Sequence, residues 1–253
     1  MKLGAEAEFL ALDHRGNPFT LVGFILSAPD IIGVDGHEET VEIRSEPGGS
    51  AKEVFESVSK RVALYESVIT TAQLNRKLPN NLTRMRAGAY YVTNLGIHIN
   101  FSGLSPNAIE PLVVTMGEVL LNKLLHRCVS ATELVSRNNA MSQAIPHGVI
   151  RVKGEGSWFE WRQPYSCLTP IHFAGLLLGA EIFARLAEVN LPALKRLAKR
   201  EDNEEHHIKA LQRLAIDEPY LKKECVTFLK MREKILALGK FDWSKDVLPE
   251  WCH

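Results

Sequence analysis

The sequence predicts an α+β domain in which helices cover one side of a mostly antiparallel sheet, and three observations carry that prediction. Four short segments alternate apolar and polar residues with the period of a half-buried strand. Long amphipathic stretches with legible start signals run between them. Beyond about Leu191 the composition changes to Lys, Arg and Glu mixed with Leu, with no strand-like alternation. Strands with a single apolar face need helices to bury it, which leaves the other sheet face to solvent or substrate.

In the first polar strand Leu3, Ala5, Ala7, Phe9 and Ala11 share one face, while Gly4, Glu6 and Glu8 share the other. Phe19 to Leu26 is apolar enough to read as a further strand, and Gly33-Val34-Asp35-Gly36 then reads as a turn. The second polar strand sets Val41 and Ile43 against Thr40, Glu42 and Arg44. Ser50 with Glu53 forms a capping box and opens a helix whose apolar stripe is Val54, Val58, Val62, Tyr65, Ile69 and Ala72. The third polar strand sets Leu95, Ile97, Ile99 and Phe101 against Gly96, His98, Asn100 and Ser102. Ser105-Pro106 opens a helix with Ile109, Leu112, Val113, Met116, Val119 and Leu120 on one stripe. The fourth polar strand sets Phe159 and Trp161 against Glu160 and Arg162. Thr169-Pro170 then opens a helix with Phe173, Leu176, Leu177, Ala180 and Phe183. Residues 1–190 read as a catalytic domain and residues 191–253 as a helical extension of two or three helices packed on it, with Pro219 as the main break. The charge run Lys199 to Glu205 reads as a solvated connection and His206-His207 as exposed surface.

Composition narrows the function classes. A chain of 253 residues and 28.3 kDa is long enough to bury about 70–75% of its unfolded surface. With 45% hydrophobic and 24% charged residues, low-complexity and disordered readings fall away. Lys plus Arg equals Asp plus Glu at 30 each, which removes the electrostatic footprint of a generic nucleic-acid or anionic-membrane binder. The apolar run Phe173 to Ala180 is broken by Glu181, well short of the ~20 residues a spanning helix needs, so no membrane partner is expected. Glu6 and Glu8 stand where a signal peptide would be apolar, so the expected location is the compartment of synthesis, taken to be the cytoplasm. Cys128, Cys167, Cys225 and Cys252 are far apart, which suits reduced, packed thiols.

The polar strand faces carry the chemistry. Residues two apart on a strand share a face about 6.5–7 Å apart, so Glu6 and Glu8 repel by about 2.4 kcal/mol at an effective dielectric of ~20 unless a cation bridges them. If all four strands lie in one sheet, Glu6, Glu8, Glu42 and Glu160 bring four negative charges and Arg44 and Arg162 return two. Oxygen ligands together with His98 suit Mg²⁺ or Mn²⁺ better than zinc. An arginine beside metal-ligating carboxylates can hold a second anion, and its fork matches phosphate. Metal plus arginine points to phosphoryl chemistry.

A polar parity is in most sheets only the wet face, and His98 by itself would read as a structural histidine. Wet faces, however, mix Lys, Thr, Ser and Gln, whereas these carry Glu, Arg, His and Asn together. Arg84, Arg86, Arg137 and Arg151 read as solvated charges first and phosphate contacts second.

At these residues the chain resembles the carboxylate-amine ligase superfamily that includes glutamine synthetase and glutamate-cysteine ligase. Gly4-Ala5-Glu6-Ala7-Glu8-Phe9 looks like its G-x-E-x-E-F first strand, Glu42-Ile43-Arg44 like its next glutamate-bearing strand, Gly96-Ile97-His98-Ile99-Asn100 like its G-x-H-x-N/H strand, and Phe159-Glu160-Trp161-Arg162 like its late E-x-R strand. The length, and Gly33-Val34-Asp35-Gly36 leading into Val41-Glu42-Ile43-Arg44, look most like the small phage-associated COOH-NH2 ligases, an amidoligase group. The motifs span residues 4 to 162, and the segment after Leu191 is unmatched.

The resemblance implies a glutamine-synthetase-type catalytic sheet with ATP and two divalent metals (Mg²⁺ or Mn²⁺) on its concave face. It implies that Glu6, His98 and Glu160 bind the metal on the ATP phosphates, and Glu8 with Glu42 the metal nearer the substrate carboxylate. It implies that Arg162 and Arg44 hold phosphate oxygens and that Asn100 lines the nucleotide site. The implied reaction activates a carboxylate as an acyl phosphate and opens it with an amine. Asp35, Glu38 and Glu39 are candidates for the amine's proton acceptor, with Asp35 counted among the catalytic residues. The absence of a Gly-rich P-loop agrees with a nucleotide held by sheet-borne metals. Expected partners are small-molecule or peptide carboxylates and amines, and a homo-oligomer is compatible with the sequence. A guanidino phosphotransferase and a non-catalytic nucleotide- or metal-binding module are the alternatives.

Overall fold

Lys2–Leu12 form the central strand, β1, and their alternation decides which way it faces: Leu3, Ala5, Ala7, Phe9 and Ala11 are all buried on one side. This is a computed structural model that describes residues 1–25, 32–34, 40–86, 95–129, 150–154, 158–162, 164, 166, 169–198, 204–241 and 245–251. After β1 come α1 (Val22–Ile25), β2 (Ile32–Val34), β3 (Thr40–Arg44), α2 (Ala51–Leu74), β4 (Thr83–Arg86), β5 (Ile97–Ser102) and α3 (Pro106–Met116). Then follow β6 (Ile150–Lys153), β7 (Trp158–Trp161), α4 (Pro170–Val189), α5 (Leu191–Ala198), α6 (Glu204–Asp217), α7 (Lys222–Ala237) and α8 (Leu248–Trp251).

The strands form one sheet in the order β2-β3-β1-β5-β7-β6, with β4 pairing the far end of β1, and every pairing is antiparallel. The α+β class expected from the sequence is therefore the observed one. The four alternating segments are β3, β1, β5 and β7, which are consecutive neighbours in the sheet. The apolar faces of β1 and β3 meet α2 and that of β5 meets α4; the α2 stripe Val54, Val58, Val62, Tyr65, Ile69 and Ala72 is buried, with Phe9 and Tyr65 packed edge to face at 5.0 Å.

Helix starts follow the sequence signals with one shift. Ser50 Oγ accepts from the Glu53 N–H at 3.3 Å, but the Glu53 carboxylate returns to the N–H of Gly49 at 2.7 Å, one residue earlier than a reciprocal box. The N–H of Ala51 donates instead to Glu181 on α4 at 2.8 Å, and Glu181 also pairs with Arg185 at 2.6 Å. That explains why an acid interrupts the apolar run of α4: it caps α2 across the core. Glu181→Leu is accordingly expected to lose about 1–3 kcal/mol in urea unfolding, because it orphans the Ala51 N–H; an unchanged midpoint would show that the cap is dispensable. By length and composition α4 could cross a membrane, yet 72% of the qualifying window is buried inside the protein.

Several expectations need correction. Of the expected strand Phe19 to Leu26, residues 19–25 are not extended into one: Val22–Ile25 form a short helix and Leu21 before it is buried, since a continuous apolar run fits either period, while Leu26 lies outside the described residues. Gly33 and Val34 are not a turn but part of β2, paired with Glu42 and Val41; Asp35 and Gly36 lie outside the described residues. The helix begun at Pro106 leaves α-geometry at Met116 and continues as a π-type turn over Gly117–Asn122. His207 is buried, not exposed, because it shares a face of α6 with Ala210, Leu211 and Leu214 at helical spacing. The side chain of His206 and residues 199–203 lie outside the described residues. Cys128 and Cys225 are buried free thiols, while Cys167 and Cys252 lie outside the described residues.

Besides β2, two further strands escaped the sequence reading. β6 alternates over only four residues, and β4 is finished by a partner distant in sequence: Asp246 accepts from the N–H groups of Arg84 and Met85 at 3.1 Å each and pairs with Arg84 Nε at 3.2 Å. Trp251 then stacks on Phe55 of α2 at 5.5 Å, tying the C-terminal segment to the core.

Candidate active site

Antiparallel pairing puts directly opposed residues on the same face, so the register lays the polar side chains out in rows across the sheet. One row is Gly33-Glu42-Glu8. The next is Arg44-Glu6-His98. A third is Gly4-Asn100-Glu160-Arg151, and a fourth is Lys2-Ser102-Trp158-Lys153. Residues as far apart in sequence as Glu6 and His98, or Asn100 and Glu160, thus become neighbours because four strands keep one parity. Glu8, Glu42, His98 and Glu160 are only 2%, 2%, 5% and 0% exposed, which a wet sheet face would not show.

The tightest grouping is Glu6, His98 and Glu160, which each offer an atom within 4.8 Å of the others. His98 Nδ1 lies 3.0 Å from Glu160 Oε1 and 3.3 Å from Glu6 Oε2, and its Nε2 lies 3.5 Å from Glu8 Oε1. Burial by itself would lower the His98 pKa, but the hydrogen bonds with Glu160 and Glu6 and the charges of Glu8 and Glu160 outweigh it and raise it to about 9. Burial tends to raise Glu160, yet the His98 bond and charge, then Arg151 and Arg162, bring it down to about 2. Glu6 is likewise held below the usual carboxylate range: burial opposes this, and His98 is the main cause. The proton on His98 therefore occupies the centre of a carboxylate cluster.

Arginines frame that centre. Arg162 Nε is 3.2 Å and Arg151 Nη1 3.5 Å from Glu160, and Arg44 Nε is ion-paired with Glu42. Glu8 and Glu42 face each other directly across β1 and β3, with Glu8 Oε2 accepting from the Gly96 N–H at 2.7 Å. Asn100 Nδ2 donates to Glu6 Oε1 at 3.1 Å, while its Oδ1 is buried without a hydrogen-bond partner among the described residues. Beside Glu6 opens a cavity of about 600 Å³ whose walls include Gly4, Arg44, Arg61, Asn100, Ser102 and Trp158.

Glu6, Glu8, Glu42, Arg44, His98, Asn100, Glu160 and Arg162 thus all lie on one face of one sheet. Asp35, Glu38, Glu39 and Arg137 lie outside the described residues. Arg84 is not at the site but bound to Asp246. Arg151 is, contrary to its reading as a solvated charge, opposite Glu160; the signal was the alternation Ile150-Arg151-Val152-Lys153, too short to stand out. Arg61 was missed altogether. It lies in the buried stripe of α2 and donates to the Arg44 carbonyl while pairing with Glu46, a position no strand pattern could flag.

No protein-family model matches the sequence, and no curated protein does. Among solved structures, the fold is shared with the ligase PafA in its complex with the prokaryotic ubiquitin-like protein Pup, at a TM-score of 0.57 and 9% identity over 93% of this chain and 63% of that one. Weaker likenesses, with TM-scores of 0.47 and 0.46, are to a bifunctional glutathione synthetase from Pasteurella multocida (14% identity, 98% of this chain and 48% of that one) and to a Francisella tularensis glutamate-cysteine ligase in complex with AMP (12% identity, 98% and 83%). The chain thus spans about half the length of the synthetase and under two thirds of the Pup ligase.

Proposed function

We propose that this chain is an ATP-dependent carboxylate-amine ligase, with its chemistry in residues 1–190 and the helices of 191–253 packed against them as support. The observation that carries the reading is the convergence of Glu6, His98 and Glu160 within 4.8 Å, framed by Arg44, Arg151 and Arg162 and opening on a cavity of about 600 Å³. The shared fold with a ligase that is seen with a protein partner supports it, and agrees with peptide as well as small carboxylates as candidate substrates.

The donor set fits a divalent cation: two carboxylates and an imidazole offer oxygen and nitrogen atoms within reach of one another, and the buried Asn100 Oδ1 is a further oxygen beside them. Mg²⁺ or Mn²⁺ held there would neutralise phosphate charge as the γ-phosphoryl group moves. Glu8 and Glu42, opposed across the two strands, are the pair we assign to a second cation nearer the substrate carboxylate. Arg162, Arg44 and Arg151 hold phosphate oxygens, and Gly4, Asn100 and Trp158 line the cavity where ATP sits. Held in line, the substrate carboxylate oxygen attacks the γ-phosphorus and ADP leaves. The amine then attacks the acyl carbon, phosphate departs with the C–O bonding electrons, and the amine gives up its proton, for which Asp35, Glu38 and Glu39 are the candidates. Rigid strands are the right carrier, because phosphoryl transfer asks the protein chiefly for positioning and charge stabilisation.

The test is incubation with ATP, Mg²⁺, candidate carboxylates and hydroxylamine. ADP and hydroxamate forming together are expected. Phosphorylated guanidine compounds without hydroxamate would replace the reading with a guanidino kinase, and nucleotide binding without ADP release would reduce the protein to a binding module.

A further inference from the structure

We propose that Gly33 is a positioning residue: the bare backbone of β2 at this point is the seat for the Arg44 guanidinium, and a side chain there shifts it. The consequence for turnover rests on the reading of Arg44 as a phosphate-holding group, whereas the seat itself stands on geometry.

Gly33 is opposite Glu42 in the β2–β3 register, and Arg44 is the next residue on the same face of β3. Arg44 folds back along its own strand to pair through Nε with Glu42, which carries its guanidinium diagonally onto Gly33. An ideal Cβ at residue 33 would lie 3.1 Å from Arg44 Nη1, 3.4 Å from Cζ and 3.4 Å from Nη2, and these are its three nearest neighbours. Nearly equal distances to three atoms of a planar group mean that the guanidinium lies face-on over the glycine. These separations are below the ~3.5–4.0 Å optimum for non-bonded heavy atoms, so a methyl group would push the guanidinium aside by a few tenths of an ångström.

Nothing in the backbone asks for glycine here. Gly33 is within an extended strand, outside the left-handed region that Gly16, Gly103, Gly154 and Gly239 occupy. Nor can the main chain of β3 yield to relieve the contact. Arg61 donates to the Arg44 carbonyl, Ser45 N–H donates to the Ala5 carbonyl at 2.8 Å, and Ala5 N–H donates to Ser45 Oγ at 2.8 Å. The displacement falls on the Arg44 side chain and its bond to Glu42. A seated Arg44 keeps one edge on the buried Glu8–Glu42 pair and another on the cavity wall. An unseated one loses that double engagement. The absent side chain at position 33 thus sets where the second arginine of the site points.

The experiment compares wild type with Gly33→Ala and Gly33→Val, using the Arg44 Nε–H resonance assigned by its loss in Arg44→Lys. In Gly33→Ala that resonance is expected to move and exchange faster with water, while the far-ultraviolet circular dichroism spectrum stays that of wild type, because alanine fits an extended strand. ATP turnover at saturating substrates should fall about tenfold to a hundredfold, further in Gly33→Val, and Gly33→Ala combined with Arg44→Lys should be no slower than Arg44→Lys alone. An Arg44 resonance unmoved in Gly33→Ala, or losses that multiply in the double variant, would overturn the proposal. Should the wild type make no hydroxamate, the ligase reading fails while the resonance and its exchange rate still decide the seat.

Discussion

Glu160→Gln is expected to lower hydroxamate formation by about a thousandfold, the scale seen when a group aimed at developing charge is removed. The glutamine keeps the shape of the side chain and removes its charge. Glu160 is fully buried and is the shared counter-ion of His98 at 3.0 Å, Arg162 at 3.2 Å and Arg151 at 3.5 Å. Neutralising it removes the charge that Arg162, Arg151 and His98 share and leaves only Glu6 and Glu8 beside His98 to balance them, which weakens the hold on the proposed cation. Calorimetric titration with Mg²⁺ should show the heat of binding lost together with turnover. Without divalent cation the same variant should unfold about 3–5 kcal/mol more easily, because breaking a buried ion pair from one side leaves charge uncompensated. Wild-type turnover in Glu160→Gln would remove this residue from the chemistry and take the proposed site with it.

The metal-free protein should have a dome-shaped stability profile centred near pH 6.5. The pKa of His98 is raised from 6.5 to about 9 in the folded state, so the folded chain holds that proton more tightly than the unfolded one. Its contribution is complete below about pH 6.5 and is lost as pH rises through 9. His172 behaves oppositely. It is buried at the start of α4, with its ring packed edge-on against Phe241 at 6.0 Å, and burial pushes its pKa down to about 4. Its contribution is complete above about pH 6.5 and is lost as pH falls through 4, since the unfolded chain then binds the proton first. Each limb spans roughly 3 to 4 kcal/mol at most.

Melting temperature measured across pH 4 to 9 without metal checks both limbs. His172→Gln should flatten the acid limb alone, and saturating Mg²⁺ should flatten the alkaline limb, because the ring nitrogen of His98 is then no longer held by a proton. An alkaline limb insensitive to Mg²⁺ would separate His98 from cation binding.

The site was largely legible because it is built on strands, where same-face neighbours recur every second residue and the chemistry is spelled in short runs. Glu6 with Glu8, Glu42 with Arg44, His98 with Asn100 and Glu160 with Arg162 were each readable within a few residues. The contributors that escaped are those that no strand alternation long enough to read carries. Arg61 lies on a helix stripe that looks like any other, Arg151 on an edge strand four residues long, and Gly33 in a run that mimics a turn. Helix ends were equally mixed: Ser50 announced α2, but its first N–H is capped by Glu181, whose role no local pattern could suggest.

By itself, then, the amino-acid order determined the class of the fold, the polar parity of four strands and the residue types able to meet a metal and a phosphate, because these follow from periodicities of two and 3.6 along the chain. Only the tertiary structure decided that β3, β1, β5 and β7 are neighbours, that their registers place Glu6, His98 and Glu160 within 4.8 Å, and that Arg44 lies over Gly33. Strand order and register depend on which distant backbone groups find each other during collapse, and that information is spread over the whole core.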